Sequence, residues 1–477
     1  MDSNFVALLV GRVLQIVLSL VSVRVYTNVL STSEVGNLYL VGSIVGLLGL
    51  VAVNPVGMYI NRRLHKWSDD KTIMNYFFVY NLYLVLLALF SVLLVYVLTM
   101  YFGIGSGIDT KLLALFIMLN LYFNTWNPTL IGSFNMLGFR KSFVAFSLIT
   151  QALGLALSVV IVKSVSQSAV FWLSGQLIAQ TMVTLVAFAY FKKVTLSVFD
   201  AGTIKTIITK DNLGYLLTFA LPLGLTTFFL WMQNQSYRLI VEKYVGLEFL
   251  GMLGVGMAIA SSIAAAVESL AQQIFSPTYY SQINNADPEK RARAWDKMAQ
   301  LTIPVYVSVA ILVSCLAPFL VKALVSSKFS TVFVFVIYGA WIELFRMTTN
   351  TISSVAHSEM QTKYLIKAYL VGGLSATVGV YLCSVQKVPQ IIPLVLLLSG
   401  FLTMAMLYLS MKKLSNICIG FNRIFKSMAL SSVFAIGVLF HPRSSSLPFS
   451  ICMLLGFGVY FLLIQYYLYL ETTRQTE

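Results

Sequence analysis

Charged residues are scarce in this sequence of 477 residues, at 10% of the chain. A soluble domain carries roughly 25% charged residues, because its surface must be hydrated. Apolar residues make up 58% of the chain, and its mean hydropathy is +0.84. This balance excludes the two or three soluble domains that the length alone would favour, and it predicts an integral membrane protein.

Residues that hold metals or form disulfides are also few. The chain has four cysteines, at positions 315, 383, 418 and 452, and three histidines, all far apart. Such scatter provides neither a disulfide framework nor a pattern of metal ligands. We therefore expect no metal and no cofactor.

Long hydrophilic loops are missing as well, and their absence bears on catalysis. The two longest loops, 192–212 and 276–300, are both predicted to be cytoplasmic. A membrane polysaccharide polymerase or ligase typically needs catalytic groups on a large external loop. We therefore expect no catalytic residues and a protein that is not an enzyme, with a polymerase as a less favoured alternative.

The sequence contains instead a series of apolar runs of about 20 residues, the length that crosses a ~30 Å hydrocarbon core. They predict an all-α integral membrane protein with about 14 transmembrane helices. Asp2 replaces the basic start of a cleavable signal and the first run is too long for one, so we expect that helix to remain. The runs are 5–30, 35–60, 73–102, 112–137, 143–162, 169–191, 213–240, 249–275, 301–321, 331–355, 364–383, 391–411, 424–440 and 447–470.

Basic residues follow every second predicted span and account for most of the net charge of +15. The positive-inside rule assigns these loops to the cytoplasm and places both termini there. The charge thus reflects topology and contact with anionic membrane lipids, and it does not indicate nucleic-acid binding. The loops contain Arg62, Arg63, Arg140, Lys141, Lys192, Lys193, Lys290, Arg291, Lys363, Lys367, Lys412 and Lys413.

A weak internal repeat relates the two halves of the chain. Arg24 precedes Glu34 by ten residues at the junction of spans one and two, and Arg238 precedes Glu248 by ten residues at the junction of spans seven and eight. An even-numbered repeat starts both halves on the same side of the membrane, as in transporters that rock around a central cavity. We predict two six-helix lobes in a parallel repeat at 1–191 and 213–411, an amphipathic cytoplasmic linker at 192–212, and a helix pair with a short tail at 412–477.

The segment 24–39, RVYTNVLSTSEVGNLY, resembles the first helix-turn of the polysaccharide biosynthesis flippases (Wzx-type). These flippases belong to the multidrug/oligosaccharidyl-lipid/polysaccharide exporter (MOP) superfamily. The segment 219–224, FALPLG, is similar to the start of the family's second half. Many relatives carry an acidic residue before the arginine of span seven, where this chain has Tyr237, and the departure argues against acid-dependent ion coupling there.

The resemblance implies a flippase that moves a lipid-linked oligosaccharide or polysaccharide precursor by alternating access. It implies cell-surface polysaccharide biosynthesis, such as that of lipopolysaccharide O-antigen, in the bacterial cytoplasmic (inner) membrane. The implied partners are an anionic saccharide linked to undecaprenyl diphosphate, membrane lipids and downstream polysaccharide assembly proteins. A cation-coupled multidrug exporter of the same superfamily is the alternative.

Arginines in span one are candidate substrate ligands. A charged side chain in a bilayer costs roughly 2.5–3.5 kcal/mol and usually faces a cavity or a partner. Arg12 shares a polar stripe with Gln15, and its guanidinium suits a phosphate, although it could also snorkel to the headgroups. Arg24 lies near the outer end of the span, where pairing with Glu34 is the alternative.

Span seven carries a second polar group. Asn234 lies one turn before Arg238. Polar side chains within a span must be satisfied by hydrogen bonds inside the protein. We expect both residues to line a substrate cavity. An ion pair between Arg238 and Glu242 is the alternative.

Spans eight and ten carry acidic residues. Glu268 shares a helical face with Gln272, which we assign to the substrate cavity. Glu268 is a candidate proton or sodium site, or else the structural partner of an arginine in span one or seven. Glu343 and Arg346 are spaced to neutralise each other, and with Glu268 they are the candidates for ion coupling or gating.

Two sets of uncharged residues are predicted to serve helix packing. The amide side chains in spans four and six suit sugar hydroxyls, but hydrogen bonding between helices is the favoured interpretation. These residues are Asn120, Asn124, Asn127, Gln176 and Gln180. Small residues in span two are expected to let helices approach closely, namely Gly42, Gly46 and Gly49.

Overall fold

The computed structural model describes residues 3–197, 199–283, 286–359, 361–440 and 446–474, so Asp2 and the end of the predicted tail lie outside it. All regular secondary structure in these residues is helical, which confirms the predicted fold class. The α-helices are α1 (Ser3–Val29), α2 (Thr32–Leu48), α3 (Asn54–Asp69), α4 (Ile73–Phe102), α5 (Thr110–Met136), α6 (Arg140–Ser164), α7 (Ala169–Thr195), α8 (Ala201–Ile207), α9 (Lys210–Tyr244), α10 (Leu247–Ile283), α11 (Pro288–Cys315), α12 (Ala317–Leu324), α13 (Phe333–Ser358), α14 (Lys363–Val385), α15 (Ile392–Ser415), α16 (Phe421–Ser431), α17 (Ile436–Leu439) and α18 (Leu447–Arg474).

Twelve helices among the described residues are long and apolar enough to cross a membrane, so the chain is a multi-pass membrane protein. Two of the fourteen predicted spans fall outside this set. The fourth is the long helix α5, whose asparagines and Pro128 reduce its apolar character. The thirteenth, predicted as one helix at 424–440, is broken, because a 3-10 turn at Ser432–Ala435 separates α16 from α17.

A π-helical turn at Gly49–Val53 joins α2 to α3 in one continuous helix. Such a turn holds one residue more than an α-turn. Carbonyls of the turn accept hydrogen bonds from other helices: Thr227 of α9 donates to Leu50 at 2.8 Å, and Tyr83 of α4 donates to Ala52 at 3.0 Å. These bonds satisfy backbone groups of the turn and stabilise it.

The chain divides into two compact units. Unit 1 comprises Met1–Trp231 and Arg238–Gly251, and unit 2 comprises Met232–Tyr237 and Met252–Glu477. Helix α9 therefore contributes residues to both units. The division predicted from the sequence, with its linker at 192–212, stays a prediction.

Aromatic residues form part of the core of unit 1. Phe77 of α4 packs edge-on against Trp126 of α5, with 5.2 Å between ring centroids, and stacks on Phe191 of α7 at 5.4 Å. Phe134 of α5 lies 5.1 Å from Phe191. Aromatic pairs in such geometries are stabilising beyond the area that they bury. The cluster holds α5 beside α7 and so fixes the positions of the amides on both helices.

In unit 2, hydroxyl groups join the broken segment to α11. Ser308 of α11 lies 2.7 Å from Ser427 of α16, oxygen to oxygen, and Ser431 donates to Ser308 at 3.0 Å. All three residues are buried. Because small hydroxyl side chains let helices approach closely and bond across the contact, the segment docks on α11 without being a regular span.

The chain between α7 and α9 forms the short helix α8. Its N-cap is Asp200, whose carboxylate accepts hydrogen bonds from the Thr203 hydroxyl at 2.6 Å and from the N–H groups of Gly202 and Thr203 at 3.0 and 3.1 Å. The Thr203 hydroxyl, followed by the two N–H groups, lowers the pKa of Asp200. The predicted placement of this linker on the membrane surface stays a prediction.

Candidate functional site

Arg12 and Gln15 form a pair on α1. The Nη1 atom of Arg12 donates to Oε1 of Gln15 at 3.2 Å. Arg12 is exposed and Gln15 is half-buried. The structure therefore brings these two predicted ligands together, and the bond orients a guanidinium, the group best suited to bind a phosphate.

Arg238 packs against an aromatic group in unit 1. Its guanidinium carbon lies 5.3 Å from the centroid of the Tyr39 ring, which is a cation–π distance. The Tyr39 hydroxyl lies 2.9 Å from that of Tyr26, whose ring packs edge-on against Trp172. The half-buried guanidinium of Arg238 is thus held by a fixed aromatic surface.

The carboxylates that were alternative partners for the arginines bind amide groups. Glu34 accepts hydrogen bonds from the N–H of Ala169 at 2.6 Å and from the Asn37 side chain at 3.2 Å. Glu242 accepts one from the N–H of Gly105 at 3.1 Å. Ala169 begins α7, where a negative charge is favourable because of the helix dipole. Glu34 therefore joins α2 to α7, and Glu242 joins α9 to the loop after α4.

Two further predicted ligands are half-buried in their helices. Arg24 lies in α1 and belongs to unit 1. Asn234 lies one helical turn before Arg238 in α9, but it belongs to the stretch that is part of unit 2. Their roles as substrate ligands stay predictions.

Unit 2 contains an ionic network in which one arginine bridges two glutamates. Arg346 of α13 donates through Nε to Glu343 at 2.6 Å and through Nη2 to Glu268 of α10 at 2.8 Å. Asn350 donates to the other oxygen of Glu268 at 2.8 Å, and Gln272 contacts that oxygen at 3.5 Å. The structure thus joins three predicted coupling residues and one predicted cavity residue.

The network agrees with one expectation from the sequence and corrects another. The predicted pairing of Glu343 with Arg346 is present. The arginine that pairs with Glu268 comes from α13, whereas the sequence pattern pointed to the first or seventh span. The side chains of Glu268 and Glu343 are only 9% and 13% exposed, and burial of charge at this depth requires such pairing.

A polar cavity of about 600 Å³ adjoins the network in unit 2. Gln272 and Asn350, which contact Glu268, form part of its wall. Tyr280 and His357 add further hydrogen-bonding groups. The ionic network therefore borders a space lined by polar side chains.

An apolar groove of about 420 Å³ runs beside α18 in unit 2. Its wall is mainly aliphatic and aromatic, with Leu270 of α10 and Phe461 of α18 as examples. Arg423 of α16 and Glu471 of α18 are its charged members, and Glu471 accepts a hydrogen bond from Lys426 at 2.6 Å. This combination fits an amphiphile. The sequence pattern did not reveal the groove, because apolar residues on a membrane helix are expected everywhere.

A third cavity, of about 680 Å³, lies in unit 1 between α2, α3, α5 and α7. The described residues that line it include no charged side chain. The Gln180 amide donates to Asn124 across the cavity wall at 3.0 Å. Amides line it from three helices, namely Asn61, Asn120, Asn124, Asn135, Gln176 and Gln180.

Glycines that were expected to permit helix packing border this cavity instead. A Cβ atom added to Gly42 or Gly49 would meet no other atom within 4 Å. The packing interpretation is therefore wrong for these two residues, because the space beside them is open. Among the amides, the interpretation as bonds between helices is confirmed for Asn127, which donates to Thr184 of α7 at 3.0 Å, and for the Gln180–Asn124 pair, which joins α7 to α5.

The sequence matches no protein-family model and no curated protein. Its structure is similar to solved structures along most or all of its length. The lipid II flippase MurJ, in an inward closed conformation, has a TM-score of 0.69 and 15% identity, with 100% of each chain covered.

An inward-facing multidrug resistance MATE family transporter of the MOP superfamily has a TM-score of 0.58 and 13% identity, over 84% of this chain and 96% of its own. The chain therefore shares the fold of these two transporters. A MOP superfamily transporter from Pyrococcus furiosus Vc1 has a TM-score of 0.53 and 12% identity, over 90% of this chain and 94% of its own. The all-helical membrane fold expected from the sequence is confirmed, whereas membership of the Wzx-type family and of its superfamily stays a prediction.

Proposed function

We propose that this protein is a flippase that moves an anionic, lipid-linked saccharide across the bacterial cytoplasmic membrane. The observation that carries the proposal is the amphipathic groove of unit 2, in a chain whose whole length has the fold of a lipid II flippase. The expected cargo is an oligosaccharide on undecaprenyl diphosphate, a precursor of surface polysaccharide such as O-antigen. Downstream polysaccharide assembly proteins would receive it.

The groove supports a cargo with a long hydrocarbon chain. Within the bilayer, the apolar side chains of the groove offer a hydrocarbon chain an environment as apolar as lipid tails. By the predicted topology, Arg423 and the Lys426–Glu471 pair lie toward the cytoplasm, where such a cargo would load. A prenyl chain would thus meet apolar side chains, and its phosphates would meet cationic ones.

The arginines of unit 1 support an anionic headgroup. Arg12 is oriented by Gln15, and Arg238 is held against Tyr39. A guanidinium stays charged at any physiological pH and binds phosphate oxygens in a bidentate manner. With Arg24, unit 1 contains three arginines in predicted spans, which would offset the charge of a diphosphate during its passage.

The even-numbered repeat supports alternating access as the mechanism. The cargo would bind from the cytoplasm, and rocking of two lobes would release it outward. The network of Glu268, Glu343 and Arg346 would then serve ion coupling or gating, because its two carboxylates and one guanidinium are held by bonds that a proton would alter.

Complementation of bacterial strains that each lack one saccharide flippase tests the proposal. We expect the wild-type chain to restore surface polysaccharide in at least one strain, and the Arg12→Ala/Arg238→Ala variant to fail there although it still inserts. The matched control is Arg293→Ala, which removes an exposed arginine paired with Glu289 on α11. This control should complement as well as the wild type.

Two outcomes would count against the proposal, and they differ in meaning. Wild-type export by the double alanine variant would exclude the arginines as the anion site. Failure of the inserted wild-type chain in every strain would exclude a lipid-linked saccharide as the cargo.

The ionic network favours a second candidate, a cation-coupled exporter of amphipathic drugs. Its two carboxylates and one arginine carry a net negative charge that a proton or a sodium ion would neutralise. Efflux of ethidium from cells that express the chain, with loss of efflux in Glu268→Gln, would support this candidate. Complementation of a flippase-deficient strain without any ethidium efflux would exclude it.

A further inference from the structure

We propose that the uncharged cavity of unit 1 binds the saccharide portion of the cargo. The inference rests on the proposed flippase function and adds a binding site to it. Sugar and diphosphate would then be recognised by different residues, the sugar by amides of α3, α5 and α7 and the diphosphate by arginines.

The lining of the cavity matches the chemistry of a neutral sugar. Every asparagine or glutamine side chain offers both donors and acceptors, as a ring of hydroxyl groups requires. A charged ligand would lie there without a counter-charge among the described lining residues, which is costly at low dielectric. The site therefore favours a neutral pyranose over a phosphate or a cationic drug.

One buried acceptor in the wall lacks a donor. The Nε2 atom of Gln180 donates to Asn124, whereas its Oε1 atom is buried and accepts no hydrogen bond. A buried acceptor left without a partner costs about 1–3 kcal/mol. Because this oxygen is shielded from solvent, a hydroxyl group of a bound sugar would donate to it after the Gln180 side chain turns toward the cavity.

Glycines keep the cavity open. Gly42, Gly49, Gly57 and Gly132 line it, and a Cβ atom on any of them would meet nothing within 4 Å. Glycine inside a helix is less stable than alanine by roughly 0.5–1 kcal/mol, and no close neighbour offsets this cost here. Together the four glycines leave space beside the helices. The resulting cavity volume of about 680 Å³ is typical of ligand sites.

The predicted topology gives the cavity a direction. Asn61 lies just beyond the predicted cytoplasmic end of span two and Asn135 near the cytoplasmic end of α5, whereas Gln176 and Gln180 lie deeper in α7. A saccharide that arrives from the cytoplasm would therefore meet amides along its whole path into the cavity.

Protection of an engineered thiol tests the site directly. The purified full-length chain carries Gly42→Cys after its four native cysteines are replaced, and its alkylation by a polar maleimide is timed. The probes are neutral mono- and trisaccharides of glucose, galactose, mannose and N-acetylglucosamine, with inorganic pyrophosphate for comparison. We expect at least one saccharide to slow alkylation severalfold and saturably, and pyrophosphate to leave the rate unchanged.

Gly214→Cys is the matched control for this measurement. Gly214 is an exposed helical glycine of unit 1, and a Cβ there also meets nothing within 4 Å. No probe should slow its alkylation. If no saccharide slows the alkylation of Gly42→Cys, the cavity is a hydrated space only, and if pyrophosphate slows it, the site is anionic; either result overturns the proposal.

Filling the cavity tests the same site in cells. Gly42→Leu should abolish export in the complemented strain, while Gly214→Leu should retain it. Normal export by Gly42→Leu would overturn the sugar site and leave the flippase function intact. Saccharide protection of the thiol without complementation of any strain would instead remove the flippase function and leave the sugar site.

Discussion

The cavities within the two units have similar volumes and different surroundings. In unit 1, amides and glycines surround about 680 Å³ without a charged side chain among the described lining residues. In unit 2, about 600 Å³ adjoins a glutamate that is bonded to an arginine. Similar space inside a membrane protein is therefore bordered in two ways, by glycines in one unit and by polar residues that contact a paired charge in the other.

The two ways respond differently to mutation. A paired charge depends on its partner, because removal of one partner leaves the other buried and uncompensated. A space bordered by glycine tolerates a methyl group, since nothing nearby must move. We therefore expect the largest losses of stability in unit 2 and small changes around the cavity of unit 1.

Removal of Arg346 should give the largest effect. Arg346→Met leaves Glu268 and Glu343 buried without their cation, and we expect it to lower the free energy of unfolding by about 3–5 kcal/mol. Unfolding of the purified protein in mixed detergent micelles measures the loss. The variant Glu268→Gln/Glu343→Gln/Arg346→Met, which removes all three charges, should recover most of it. Wild-type stability of Arg346→Met would show that the network does not hold α10 to α13.

Two glycine-to-alanine changes in unit 1 should differ in sign. A Cβ on Gly175 of α7 would overlap the backbone of Leu157 and Ser158 in α6, and such overpacking costs typically about 1–3 kcal/mol. Gly42→Ala meets open space and should stabilise its helix by roughly 0.5–1 kcal/mol. The same unfolding measurement compares them. Equal losses from both changes would mean that the space beside Gly42 is not open.

The smallest effect is expected in the linker, outside both cavities. Asp200→Ala removes the N-cap of α8, so amide exchange at 201–207 should become faster without any change at the cavities. The pKa of Asp200 is lowered in the folded chain. The charged cap therefore contributes its full stabilisation of α8 above the ordinary pKa of 3.8. This stabilisation is lost as the pH falls through the lowered pKa of Asp200.

Asp200→Asn separates the charge of this cap from its hydrogen bonds. Asparagine is also a good N-cap, so this variant should protect α8 without the loss at low pH. Exchange rates corrected for their intrinsic pH dependence provide the comparison. A wild-type linker whose protection does not change with pH would contradict the role given to the Asp200 carboxylate.

The helices could be predicted from the sequence because the length and polarity of an apolar run are local properties. The partner of Glu268 could not, since Arg346 lies 78 positions away. Its choice depends on which faces of α10 and α13 meet. The amides of α5 and α7 illustrate the same limit: spacing places Asn120 and Asn124 on one helical face, but it does not tell whether a helix or a void lies opposite.

The π-helical turn at Gly49–Val53 sets the angular phase of everything that follows it in α3. On an uninterrupted α-helix, where each residue advances by about 100°, Asn61 would lie about 100° around the axis from Gly42. The extra residue of the turn removes about that angle and returns Asn61 to the side of Gly42. If the same sequence were wound there as a regular α-helix, Asn61 would rotate by about 100° away from the cavity, so the register of a single turn decides which face of α3 a ligand meets.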